Sequence, residues 1–290
     1  MDRIGDGQHE SYRTPREDLY DYCDFPASEN PEGVLIAKQI QAQSYVNSGF
    51  VRTEGLITLA NGEQILAPDI ADPSDLPQSA AGWTEYSLGV EKNSNLDPIN
   101  GELVAWKKRY ADLDSLPTYI FCEDSLWPGW EEYLRDVDID ESRQLVEPEA
   151  LGKTKNAGPG VIVEFMRNEI QRSFGRHEVW FMGLVEDTVS DLFERRWGPL
   201  AVRQVGESKR LDHPYINPDV KLVPTIMDID NFYLNFYYYL QNQEARGEVT
   251  DKQLNHFLYM ASGMSDAQLG EQVAGYRNEL RQRLDRTDKQ

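Results

Sequence analysis

The residues best suited to chemistry lie in a short basic, glycine-containing stretch that runs into a helix. Lys153 and Lys155 lead into Asn156-Ala157-Gly158-Pro159-Gly160, and Val161 opens a segment in which Ile162, Met166, Ile170 and Phe174 recur every four residues. That spacing puts one apolar stripe on a helix whose other face carries Glu164, Arg167, Asn168, Gln171 and Arg172. Pro159 suits the first turn, where its missing N–H has no intrahelical acceptor. The first amides of such a helix point outward at the positive end of its dipole. The glycines let an anion approach the backbone, and the lysines add charge. These residue types in this order fit a cradle for phosphate or pyrophosphate. The same string also serves as a plain turn into a helix, because short glycine motifs recur without ligands.

The elements around the stretch decide what it would be positioned against. Ser142–Glu147 reads as a strand just before it and His177–Leu184 as a strand after the helix. A second helix spans about Glu186 to Trp197 and stops at Gly198-Pro199. Leu200–Val205 and Lys221–Ile229 follow as strands, and the alternation argues for an α/β layered fold with a mixed sheet.

Upstream, residues 1–30 are polar and acidic and read mostly as a flexible arm. Asn30-Pro31 starts a helix that Gly49 stops. Leu56–Ala60 and Gln64–Ala67 form a hairpin about Asn61-Gly62, and Trp83–Val90 pairs with Glu102–Tyr110 in a second one. Between the hairpins, Pro68 to Gly82 is a linker. Leu116–Phe121 is extended and Trp130–Arg135 a short helix. From Asp230 the chain is helical, with an aromatic face at Phe232, Phe236, Tyr239 and Leu240 and capping boxes at Thr250-x-x-Gln253 and Ser265-x-x-Gln268. This extension, 230–290, either covers the sheet or binds a second copy as a homo-oligomer.

The 290 residues are enough for a sizeable core, and 40% hydrophobic with 27% charged residues is ordinary for a soluble globular chain. A net charge of −21 repels nucleic acid and anionic membrane, so neither is an expected partner. No apolar run spans a bilayer and no signal pattern opens the chain, so a cytoplasmic location is expected. Two cysteines indicate neither a disulfide framework nor a zinc site, and no metal is expected.

In this order the motifs resemble the GNAT (Gcn5-related N-acetyltransferase) superfamily, whose coenzyme A loop reads Gln/Arg-x-x-Gly-x-Gly/Ala between a strand and a helix. Here the pattern is Lys155-x-x-Gly158-x-Gly160, with Lys in place of Gln or Arg. Leu192-Phe193-Glu194-Arg195-Arg196-Trp197-Gly198 is similar to the family's Leu-Tyr-Glu-Lys-x-Gly-Phe helix ending. Leu116-Pro117-Thr118, Glu141-Ser142-Arg143 and Val223-Pro224 resemble the branch of acyl-homoserine-lactone synthases and long-chain N-acyl amino acid synthases. The resemblance covers about residues 34–229. It departs at Gln41-Ala42-Gln43-Ser44-Tyr45, which lacks that branch's arginine, and at Phe193, where many members carry a tyrosine as general acid.

The resemblance implies a mostly antiparallel mixed sheet flanked by helices over 31–229. It also implies acyl transfer from acyl-CoA, or from an acyl carrier protein's phosphopantetheine, to a small-molecule amine. Lys153, Lys155, Asn156, Ala157, Gly158, Pro159, Gly160 and Val161 would hold the phosphates, and strand residues about Val146 would pair with the pantetheine amides. Glu141, then Glu147, would take the amine's proton, and either is equally readable as a solvated acidic residue. Arg143 would orient an acceptor carboxylate or form a structural ion pair. Large apolar residues such as Trp106, Phe165, Met166, Trp180 and Met182 line the expected course of a medium or long acyl chain, or simply fill the core. The rival reading is a non-catalytic GNAT-like module that binds an acyl thioester or a partner protein.

Overall fold

The computed structural model describes residues 20–60, 62, 64–66, 85–91, 103–110, 144–155, 157 and 160–287. Within the segment read as an arm, Tyr20–Pro26 forms β1, an edge strand antiparallel to β4 (Glu85–Glu91). Its alternation ties it to both sides of the sheet. Tyr22 meets Phe165 edge-on at 5.7 Å, while Phe25 stacks on Tyr86 at 5.9 Å on the opposite face.

That opposite face is covered by α1 (Pro31–Asn47), which starts where the sequence indicates. The Asn30 side chain accepts from the Gly33 N–H at 2.9 Å, Pro31 sits at the first helical position, and Ala37 and Ile40 are buried against Tyr86 and Leu88. The expected hairpins form as β2 (Leu56–Thr58) with β3 (Gln64–Leu66), and as β4 with β5 (Leu103–Tyr110). Expectations for the linker 68–82, for 116–121 and for 130–135 fall outside the described residues.

The next strand is longer than the sequence suggests. β6 runs Gln144–Lys153, continuing through Pro148 because its ladder with β5 shifts register between Trp106 and Lys107. It continues through Gly152 because α1 lies directly over it there. A Cβ at Gly152 would stand 3.2 Å from the Ser44 Cβ. After the loop come α2 (Val161–Ser173), β7 (Glu178–Glu186) and α3 (Asp187–Trp197). β8 (Val202–Gln204), β9 (Lys209–Arg210) and β10 (Lys221–Asp228) complete a mixed eight-stranded sheet of order β1-β4-β5-β6-β7-β10-β8, with β9 on β10. β6 and β7 pair in parallel, and the remaining described ladders of this sheet are antiparallel.

β7 carries a bulge. Phe181 faces Ile226 and Leu184 faces Pro224, so Met182 and Gly183 together stand opposite Thr225 alone. Gly183 takes φ 73°, in the left-handed region that costs a residue with a Cβ roughly 1–2 kcal/mol.

The helical extension consists of α4 (Phe232–Arg246), α5 (Asp251–Met260), α6 (Asp266–Leu269) and α7 (Glu271–Thr287). Both capping boxes form, at Thr250 and Ser265. Phe232, Phe236 and Leu240 recur at four-residue spacing, are all fully buried, and join Phe257 and Met260 in the cluster that contains Phe193, Trp197 and Met227. The extension therefore packs onto α2 and α3 and shares one core with the sheet. Among the described residues, no helix is long and apolar enough to cross a membrane.

Candidate active site

The parallel pairing of β6 with β7 spans Gln144–Val146 against Glu178–Trp180 and then stops. Beyond it β6 follows β5 to Lys153, while β7 turns to follow β10. The parted strands border a cavity of about 390 Å³, within the size range of small-molecule sites. Phe165 and Met166 of α2 line it from one face of the sheet, and Ser44 and Tyr45 of α1 from the other. The β7 bulge contributes to both faces. Trp180 and Val185 share a face with Thr225, whose hydroxyl lies 3.0 Å from that of Ser190 on α3, whereas Leu184 points the opposite way.

The loop that enters α2 is held by its own backbone. The Ala157 N–H donates to the Thr154 carbonyl at 3.1 Å and the Lys153 Nζ to the Ala157 carbonyl at 3.1 Å, while Lys155 is exposed. Gly160 caps α2 with no side-chain acceptor at its first turn, and Val161 and Ala157 are buried in the core. Of the residues about this loop, Lys153 before it and Ile162 in the first turn of α2 line the cavity. Asn156, Gly158 and Pro159 lie outside the described residues, as do Glu141 and Arg143. Val146 is fully buried at the last rung of the parallel pair. Glu147 is also buried, at 3% exposure, and is not among the described residues lining the cavity. His177 is exposed beside Asp230, and His213 packs against Tyr215. Phe193 lines the cavity and stacks on Trp197 at 4.9 Å.

The sequence reading missed the polar wall of the cavity, formed by Asp24, Glu85, Ser87, Glu169 and Arg172. Arg172 pairs with Asp24 and, at 3.2 Å, with Glu169. Burial opposes its charge, but Glu169, Asp24 and Glu85 together hold its pKa above the ordinary arginine value. The Ser87 hydroxyl lies within hydrogen-bond reach of Asp24 and 3.4 Å from Glu169. Only the i, i+3 spacing of Glu169 and Arg172 was visible locally; β1 and β4 join them through long-range strand pairing. Among the described residues, no group of three His, Cys, Asp or Glu side chains is arranged to hold a metal ion.

No protein-family profile and no curated protein matches the chain. Solved structures do. One is FeeM, an N-acyl amino acid synthase from uncultured soil microbes, at 10% identity and a TM-score of 0.44, covering 74% of this chain and 95% of that one. Another is MesI, a CoA-dependent acyl-homoserine lactone synthase, at 11% identity and a TM-score of 0.45, covering 79% and 97%.

Proposed function

We propose that the protein is a GNAT-type N-acyltransferase that moves an acyl group from acyl-CoA, or from acyl carrier protein, to a small-molecule amine. The observation that carries this reading is the parting of β6 from β7 over an apolar cavity, with a basic loop and a helix N-terminus at its margin. Lys153, Lys155 and the 156–161 backbone hold the donor's phosphates. The β6 edge that β7 leaves offers amide groups to the pantetheine arm and, at one N–H, to the oxyanion that forms as the thioester carbonyl is attacked. Leu151, Ile162 and Trp180 give a medium or long acyl tail an apolar lining. Glu141 is the first carboxylate assigned to the amine's proton and Glu147 the second, with Arg143 orienting the acceptor.

A non-catalytic acyl-thioester binder is the second reading. It is favoured by Phe193, which places a ring without a hydroxyl where the family resemblance puts a general acid. Release of free thiol from acetyl-, hexanoyl-, decanoyl- and palmitoyl-CoA, with a panel of amines, tests both. Turnover that needs an amine, with affinity rising several-fold per two carbons, supports the enzyme. Tight binding without thiol release leaves the binder, and no binding at all removes both readings.

A further inference from the structure

N-acylation produces a proton that a group beside the reacting amine must take up and pass on. The wall of the cavity contains a carboxylate, Glu169, that is 2% exposed. Its Oε1 lies 3.4 Å from the Ser87 hydroxyl, which also hydrogen-bonds Asp24. The Asp24 side chain is 32% exposed. Arg172 touches both carboxylates, and Glu85 adds further negative charge beside it. A buried acceptor, a hydroxyl able to receive and pass a proton, and a carboxylate about one-third exposed to water thus follow one another along the cavity wall.

We propose that Glu169, Ser87 and Asp24 form the route by which the acylation proton leaves the cavity, with Arg172 positioning the two carboxylates. This rests on the acyltransferase reading. On this route Glu169, which lines the cavity where Glu147 does not, takes the part given above to Glu141 and Glu147: the acceptor's ammonium gives it one proton, and the free amine attacks the thioester carbon. The C–N bond forms, the C–S bond breaks, and a second nitrogen proton goes to the departing thiolate. Amide, thiol and one proton are the products, and that proton passes from Glu169 through the Ser87 hydroxyl to Asp24 and water. Each hop regenerates the carboxylate beside Arg172 for the next turnover.

Steady-state kinetics with acyl-CoA and amine test the route in the 290-residue chain, with circular dichroism to confirm folding. Ser87→Ala is expected to lower kcat about tenfold with KM unchanged. A small diffusible buffer such as imidazole should restore most of the loss, and Ser87→Thr should behave as wild type. Glu169→Gln is expected to lower kcat about a hundredfold and to remove the acid limb of the pH–rate profile. A merely structural role for Ser87 would produce no buffer rescue. Wild-type kcat in Ser87→Ala, or a loss that buffer does not restore and Ser87→Thr shares, overturns the route. If Ser87→Ala does not fold, the Glu169→Gln pH profile decides alone, and an unchanged acid limb overturns the route. An active wild type with unaffected variants refutes this proposal only, whereas a wild type that releases no thiol refutes the acyltransferase reading together with it.

Discussion

The two sides of α2 are packed in opposite ways. Toward the extension, Gln171 donates to the Met260 and Ser262 carbonyls at 2.8 and 2.7 Å, Arg167 lies 4.6 Å over the Tyr259 ring, and Phe174 meets Tyr233 edge-on. Toward the sheet, Phe165, Met166 and Glu169 border open volume. One helix thus has a filled side and a side left vacant. The filled side supplies the contacts that hold the helix while the other forgoes them. The difference teaches that Glu169 and Arg172 are aimed into the cavity by a helix anchored on its far side, and are held there by the ion pairs of Arg172 with Glu169 and with Asp24.

Three changes would break or sharpen that contrast. The largest effect is expected on the filled side, at Phe236→Ala. This ring is fully buried against Phe232 and Phe257, and its loss should cost about 3–5 kcal/mol in urea unfolding. A loss below about 1 kcal/mol would mean that the extension is only loosely docked. On the vacant side, Leu151→Trp should fill the cavity and weaken acyl-CoA binding about a hundredfold, roughly 2.7 kcal/mol, by calorimetry. Stability should change by less than about 1 kcal/mol, because the new ring enters space rather than displacing neighbours. Heavy destabilisation would show this side to be as tightly filled as the other.

The third change concerns acid. Trp197 Nε1–H donates to His256 Nε2 at 2.9 Å, which places the ring proton on Nδ1. Burial, with Arg196 and Lys252 adding to it, lowers the His256 pKa to about 3. The unfolded chain therefore binds the extra proton between about pH 6.5 and 3 while the native chain does not. Stability falls as pH drops through that window, by at most about 1.4 kcal/mol per unit. His256→Gln, whose amide oxygen still accepts from Trp197, should flatten the fall between pH 6.5 and 5 relative to wild type. Parallel urea midpoints would remove His256 as the acid-sensitive group on the filled side.

How much of this was legible in the sequence follows from how local each signal was. Asn30-Pro31, the boxes at Thr250 and Ser265 and the stop at Gly198-Pro199 act within one helical turn, and each reads correctly. β1 did not show, because its seven residues gain their stability from β4, where Tyr20 meets Glu91. β6 looked too short because Pro148 and Gly152 ordinarily weaken a strand, and the register shift and the approach of α1 that accommodate them lie elsewhere in the chain. The apolar stripe of α2 was visible, but what its polar residues would meet was not. Glu164, Arg167 and Glu169 are in fact buried, at 4%, 6% and 2% exposure, between the sheet and a tail that begins some sixty residues later. The cradle could be proposed from the sequence because its residues are consecutive. Ser87, Asp24 and Glu169 come from three separate elements, and no spacing along the chain joins them.

The bulge in β7 acts as a phase shift. A regular strand shows its even-numbered residues to one side, so Trp180 and Leu184 would have looked the same way. One extra residue puts the two halves of β7 out of step, and a single strand comes to border the cavity from both faces of the sheet. Changes of side chain at Trp180 or Leu184 alter the size and lining of that space, whereas Gly183 determines which way each half faces. The position in β7 least open to variation is therefore the one that has no side chain.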